Sequence, residues 1–152
     1  MLLSPKKTKY ALSMRRLRQI RGRNSKCNNL IKGDFGVVAE EGFWFKDRQI
    51  ESVRLSTVRM VKKCKNSIML CRVFPHKPIS KKPLEVRLGR GKADRDYWAA
   101  TVRPGTILFE YGNVTDIIKE QIIKAVRTRL PIKISVLNKK EEEMKKNEGD
   151  NV

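Results

Sequence analysis

The chain has 152 residues, 35 Lys+Arg against 16 Asp+Glu, and a formal net charge of +19. That length makes one domain the default, and 39% apolar residues supply material for one modest core. So large a positive charge repels itself in a compact state unless a polyanion accompanies it, which argues for nucleic acid first and an anionic membrane surface second.

Residues 1–33 carry ten cations, among them Lys6, Lys7, Lys9, Arg15, Arg16, Arg21 and Arg23, and no acid. The segment has few large apolar residues and no sustained amphipathic period, so it is expected to act as a basic arm ordered by its partner. A disordered tail or an Arg-rich mitochondrial presequence is the plainer alternative. Residues 35–40 read as a strand opened by Gly33-Asp34, followed by the apolar cluster Phe43-Trp44-Phe45. From Asp47 to about Cys64 the period is helical: Ile50, Val53, Thr57, Val58 and Val61 share one face, and Arg48, Arg59, Lys62 and Lys63 lie elsewhere. Such a charged face is usually only solvated, but the surrounding basicity makes phosphate contact an equal contender.

Residues 67–74 form an apolar, β-prone run interrupted by Arg72, and Pro75, Pro78 and Pro83 then mark an irregular stretch holding Lys77 and Lys82. Residues 84–88 read as a strand entering the loop Gly89-Arg90-Gly91-Lys92. Two glycines there allow close backbone approach to another surface, while Arg87, Arg90 and Lys92 project cations toward it. Residues 97–103 read as the strand leaving the loop, and Pro104-Gly105 turns it into residues 106–111, an expected hairpin. Thr115 is placed to cap a helix running to about Arg129, with an apolar stripe of Ile118, Ile122, Ala125 and Val126 ending at Leu130. Residues 132–137 are a last strand. Residues 138–152 read as a charged, flexible tail, briefly helical over 141–146. The tail holds four cations against five acids, so the preceding residues carry net +20. The organisation is thus an arm (1–33), an α+β domain (34–137) with two helices on a compact sheet, and a tail (138–152).

Cys27, Cys64 and Cys71 fit no zinc spacing, and an odd count argues against a disulfide framework. His76 stands alone, without the neighbours that metal ligation or catalysis needs. Trp44 and Trp98 have flat faces for base stacking, yet both sit among apolar residues, which favours the core. Gly91-Lys92 resembles a P-loop faintly, but Val86 and Ala93 stand where glycine and Ser or Thr are needed. No stretch approaches the ~18–20 apolar residues of a membrane span. No enzyme activity, cofactor, metal, membrane or small-molecule substrate is expected.

The order of motifs resembles a known family. Ser4-Pro5-Lys6-Lys7-Thr8-Lys9-Tyr10, Arg48-Gln49-Ile50-Glu51, Arg72-Val73-Phe74-Pro75-His76-Lys77-Pro78-Ile79 and the block from Lys82 to Lys92 carry the likeness, with Tyr97-Trp98, Pro104-Gly105, Leu108-Phe109-Glu110 and Leu130-Pro131-Ile132-Lys133 completing it. The chain is similar to large-subunit ribosomal protein sixteen of the bacterial and organellar type. That resemblance implies an α/β-hammerhead-like fold and a structural role binding large-subunit rRNA beside A-site tRNA and neighbouring large-subunit proteins, with late entry into subunit assembly. It implies rRNA contacts by Lys6, Lys7, Lys9, Arg15, Arg16, Arg21 and Arg23 of the arm. Further contacts are expected from Arg48, Arg59, Lys62 and Lys63, and from Arg72, Lys77 and Lys82. Arg87, Gly89, Arg90, Gly91 and Lys92 become the loop directed toward the A site and peptidyl transferase centre. Arg87 also matches an arginine that some bacterial members hydroxylate.

The departures are specific. Residues around 11–17 are extra, Ile20 stands where His is usual, His76 replaces a common acid and Ala93 a common glycine. Richness in Lys, Ile and Asn, these insertions and the absence of a recognisable leader favour an organelle-encoded protein, mitochondrial before plastid or bacterial. The competing expectation is a basic organellar DNA- or RNA-binding protein outside the ribosome.

Overall fold

Alternating apolar residues build β1, Phe35–Ala39, which sends Phe35, Val37 and Ala39 into the main core. In the computed structural model, which describes residues 3–87, 89 and 91–139, β1 pairs antiparallel with β6, Ile107–Gly112, and with β7, Ile134–Asn138. Strand β3, Ile68–Cys71, joins the far side of β6, giving the sheet order β3-β6-β1-β7. A second antiparallel sheet has the order β2-β5-β4, from Phe43–Lys46, Arg95–Val102 and Lys77–Ser80. The architecture is α+β, but with two sheets where the pattern led us to expect one.

Helices α1, Asp47–Val61, and α2, Asp116–Arg129, pack on one another. α1 buries Ile50, Val53, Thr57 and Val61, and α2 buries Ile122, Ala125 and Val126, the faces their periods define. At the start of α1 the Gln49 side chain accepts the Lys46 backbone N–H at 3.1 Å. Thr115 occupies the corresponding position of α2 in an extended conformation, but its hydroxyl makes no capping bond. The two sheets meet in one core: Phe45 of β2 sets its ring edge-on to Phe109 of β6, centroids 6.4 Å apart.

Three expectations about the strands are corrected. The 103–106 turn forms, with the Thr106 N–H donating to Arg103 O at 3.2 Å, yet β5 and β6 are not a hairpin. Both edges of β5 are taken by β2 and β4, and both edges of β6 by β1 and β3, so the chain steps from one sheet to the other. The proline-marked stretch contains β4: Pro78 is tolerated because β4 is an edge strand. The strand expected over 84–88 is absent at its described residues. Leu84 and Glu85 form a turn, Glu85 has φ +68°, and Leu84 stays 89% exposed because no partner strand covers it.

The arm runs over the outer faces of both sheets. Ile20 packs on Trp44, Ile79 and Ala99 of the second sheet, and Leu30 lies over Gly36 of the first, where an added Cβ would meet its Cδ2 at 2.7 Å. Asn24 donates its backbone N–H to Pro104 O and its amide to Thr106 Oγ1, each at 2.9 Å. Gly42 makes the closest approach. A Cβ there would lie 2.1 Å from the backbone oxygen of Ile20. Gly42→Ala should therefore push residues 17–23 off the sheet at a cost of about 1–3 kcal/mol. A lower thermal midpoint with faster tryptic cleavage after Arg21 and Arg23 is the expected readout; an unchanged cleavage rate would contradict this packing.

Candidate nucleic-acid interface

The end of the arm, residues 31–33, is held to the domain by one carboxylate. Glu110, in the middle of β6, is fully buried. Its Oε2 accepts the backbone N–H groups of Ile31, Lys32 and Gly33 at 3.2, 3.2 and 3.4 Å, and its Oε1 accepts from the Arg72 guanidinium. Burial pushes this carboxyl upward, but the Lys32 and Ile31 N–H groups and Arg72 more than offset it, holding it below the usual carboxylate range. Arg72 also donates to Asn29 O at 3.3 Å, so this expected rRNA contact has internal partners.

Beyond that anchor, the arm's cations Lys6, Lys7, Lys9, Arg15, Arg16, Arg21 and Arg23 are all exposed. The Arg15 guanidinium lies 5.5 Å from the Trp44 ring centroid, the outer side of a tryptophan that is otherwise buried. Trp98 is buried as well, with Arg95 at 4.8 Å, so both tryptophans belong to the core, as expected. Arg48 and Arg59 are exposed on α1, at helical spacing on the face opposite Ile50, Val53, Thr57 and Val61, and Lys62 and Lys63 are exposed just past its end. Glu51 neutralises Arg54 nearby, Oε1 to Nη2 2.5 Å, and this bond lowers the Glu51 carboxyl and raises the guanidinium.

The glycine loop follows β4. Gly89 and Gly91 have φ of +101° and +74°, and nothing lies within 4 Å of an added Cβ at either. Backbone conformation, not crowding, therefore demands glycine there. Lys82 braces the loop by donating Nζ to Gly89 O at 2.9 Å, and Lys92 reaches back to Ser13 O of the arm. Arg87 and Lys92 are exposed, whereas Arg90 lies outside the described residues, as does the helical stretch expected over 141–146.

Two open clefts flank His76 and Lys77. One, of about 380 Å³, is walled by residues 5–13 of the arm, including Lys7, Lys9 and Tyr10. The other, of about 450 Å³, lies between the arm, the β3–β4 connection and the 103–106 turn, and is lined by Lys26, Arg72, Phe74, Lys77 and Arg103. Reading the sequence missed Lys26, Phe74 and Arg103 as site residues. Arg103 carried a signal, since it sits immediately before the Pro104-Gly105 turn; Phe74 joins it through the pairing of β4 with β5, and Lys26 only through the path of the arm. The three cysteines carry free thiols, and burial raises the Cys71 thiol above its ordinary value, consistent with a packing role.

Exposed cations on the arm, α1, the cleft rims and the loop, set on a small two-sheet α+β frame, define a basic protein built to meet an extended polyanion. Residues 5–137 match the family model described as ribosomal protein L16p/L10e. The large ribosomal subunit protein uL16 of Treponema pallidum (strain Nichols) is 41% identical over 133 residues, covering 88% of this chain and 93% of that protein. The protein of the same name from Ureaplasma urealyticum serovar 10 is 38% identical over 140 residues, covering 92% and 99%. The uL16c protein of Cyanidioschyzon merolae is 39% identical over 136 residues, covering 90% and 92%. The chain belongs to the ribosomal protein L16p/L10e family.

Proposed function

We propose that this chain is a structural constituent of the large ribosomal subunit that binds large-subunit rRNA and contacts neighbouring ribosomal proteins. The observation that carries this reading is the family match across residues 5–137, which takes in the arm, both helices and the glycine loop. The net charge of +20 before the tail supplies the affinity, because each cation placed on phosphate releases counterions. The arm and the outer face of α1 supply phosphate contacts that fix orientation. The loop of Arg87, Gly89, Arg90, Gly91 and Lys92 is directed toward A-site tRNA near the peptidyl transferase centre, where its role is architectural and involves no catalytic step. We place the ribosome in an organelle, mitochondrion before plastid; the uL16c relative and the lysine- and asparagine-rich composition support an organellar setting.

Sedimentation of a tagged full chain through a high-salt gradient tests this directly. Co-migration with large subunits, with Lys92 crosslinked to rRNA at the tRNA cleft, is the expected result. Migration as free protein bound to DNA would favour the extra-ribosomal reading, and recovery only in cytosolic ribosomes would overturn the organellar one. Reversing both Arg87 and Lys92 to glutamate should leave incorporation intact and weaken A-site tRNA binding about tenfold, the scale of one lost charge-assisted hydrogen bond. Unchanged tRNA affinity in filter binding would separate the loop from the A site.

A further inference from the structure

We propose that the cleft between the arm, the β3–β4 connection and the 103–106 turn receives one unstacked nucleotide of single-stranded RNA, an assignment that rests on the rRNA-binding reading above. The cleft has about 450 Å³, within the roughly 300–1,000 Å³ range of small-ligand sites. Val73 and Ala100 are buried and give it apolar walls, while Phe74 is 39% exposed beside them. His76, two residues on, lines the same cleft, its Nδ1 3.1 Å from the Phe74 backbone oxygen, so one short segment supplies two flat side chains to the site. Unpaired bases are recognised by stacking on such rings, which duplex bases cannot reach.

The rim supplies the phosphate partners. Arg103 donates Nε to Gln19 O at 3.1 Å, which fixes its guanidinium at the mouth, and Lys26 and Lys77 line the same opening. No acidic side chain lines the cleft among the described residues, and the nearby Glu110 is fully buried and neutralised by Arg72. Gln19, another lining residue, has its side-chain Oε1 buried with no hydrogen-bond partner. Phosphate recognition alone would need the cations but not the exposed ring or the apolar walls. An acidic peptide would likewise use only the rim.

The test measures binding of the full chain, by fluorescence anisotropy at fixed salt, to a mixed-sequence single-stranded RNA and to an RNA duplex. Phe74→Leu keeps the apolar contact and removes the ring. It should weaken single-strand binding about 5–150-fold, equivalent to ~1–3 kcal/mol of base–aromatic stacking, and leave duplex binding unchanged. His76→Ala, at an exposed position, should lower single-strand binding selectively even if the Phe74 variant loses thermal stability. If neither variant moves single-strand affinity, the cleft takes something else, such as an acidic peptide, and the proposal fails. Equal losses on single strand and duplex would also overturn it. Sedimentation of Phe74→Leu with large subunits keeps the two readings apart: selective loss with intact co-sedimentation supports the cleft. If the unmodified chain fails to co-sediment, the ribosomal reading falls and the cleft's assignment with it.

Discussion

Glu110→Gln should destabilise the protein by about 3–5 kcal/mol, the scale on which breaking a buried ion pair leaves an uncompensated charge. The carboxylate is fully buried and serves three successive backbone N–H groups and the Arg72 guanidinium at once. A glutamine keeps one acceptor oxygen but turns its amide donors toward groups that are themselves donors. The loss should be read by equilibrium urea unfolding at pH 7. Its pH dependence follows from the depressed carboxyl of Glu110. A group whose folded value lies below its unfolded value contributes fully above the unfolded value, about 4.3 for Glu, and loses that contribution as pH falls through the folded one. The unmodified chain should therefore lose stability as pH drops below about 4, and the variant should show a shallower acid limb. Equal acid limbs, or a loss under about 1 kcal/mol, would mean that this carboxylate does not hold the arm.

The same residue shows where reading the sequence stops. Helices α1 and α2 were legible because Ile50, Val53, Thr57 and Val61, and Ile122, Ala125 and Val126, recur at helical spacing, and burial follows that spacing. β1 and β6 were legible as apolar runs. What a linear pattern does not encode is pairing. Residues 103–106 satisfy every local rule for a hairpin turn, yet β5 and β6 part into different sheets because each finds two other partners. β2 was hidden because Phe43-Trp44-Phe45 lacks polar alternation: Phe43 and Phe45 face the main core, while Trp44 faces Ile20 of the arm. Both of its faces are covered, so both are apolar.

The candidate interface was legible in its charges and not in its shape. Cations such as Arg48 and Arg59 could be placed on an outward face from period alone. Arg72 could not be distinguished from them, because its partner Glu110 lies 38 residues away in the chain. A lone glutamate within Leu108-Phe109-Glu110-Tyr111 is the one sequence signal of that pairing, since an unpaired carboxylate in a buried strand is prohibitively costly. The cleft is assembled from residues 72–77 and 100–106, which the pairing of β4 with β5 brings together, and residues 19–27, which the path of the arm lays over them.

Raising salt from about 50 to 200 mM should weaken RNA binding by the isolated full chain by roughly 10³–10⁵, the loss expected for 6–10 phosphate contacts. The effect is electrostatic: the arm's seven nominated cations, and Arg48, Arg59, Lys62 and Lys63 on α1 and just past its end, are exposed to solvent, where counterions exchange with phosphate. Lys7→Gln or Arg59→Gln should each reduce the slope of log affinity against log salt by about one and weaken binding to every RNA alike. Arg72→Gln should behave differently, because that guanidinium is committed to Glu110 and Asn29; its loss should appear in unfolding before it appears in the salt slope. Phe74→Leu removes no charge and should leave the slope unchanged while lowering single-strand affinity. A slope that Lys7→Gln and Arg59→Gln leave untouched would mean that neither the arm nor α1 lies along the RNA backbone. The polyanion would then be held by the loop and cleft alone.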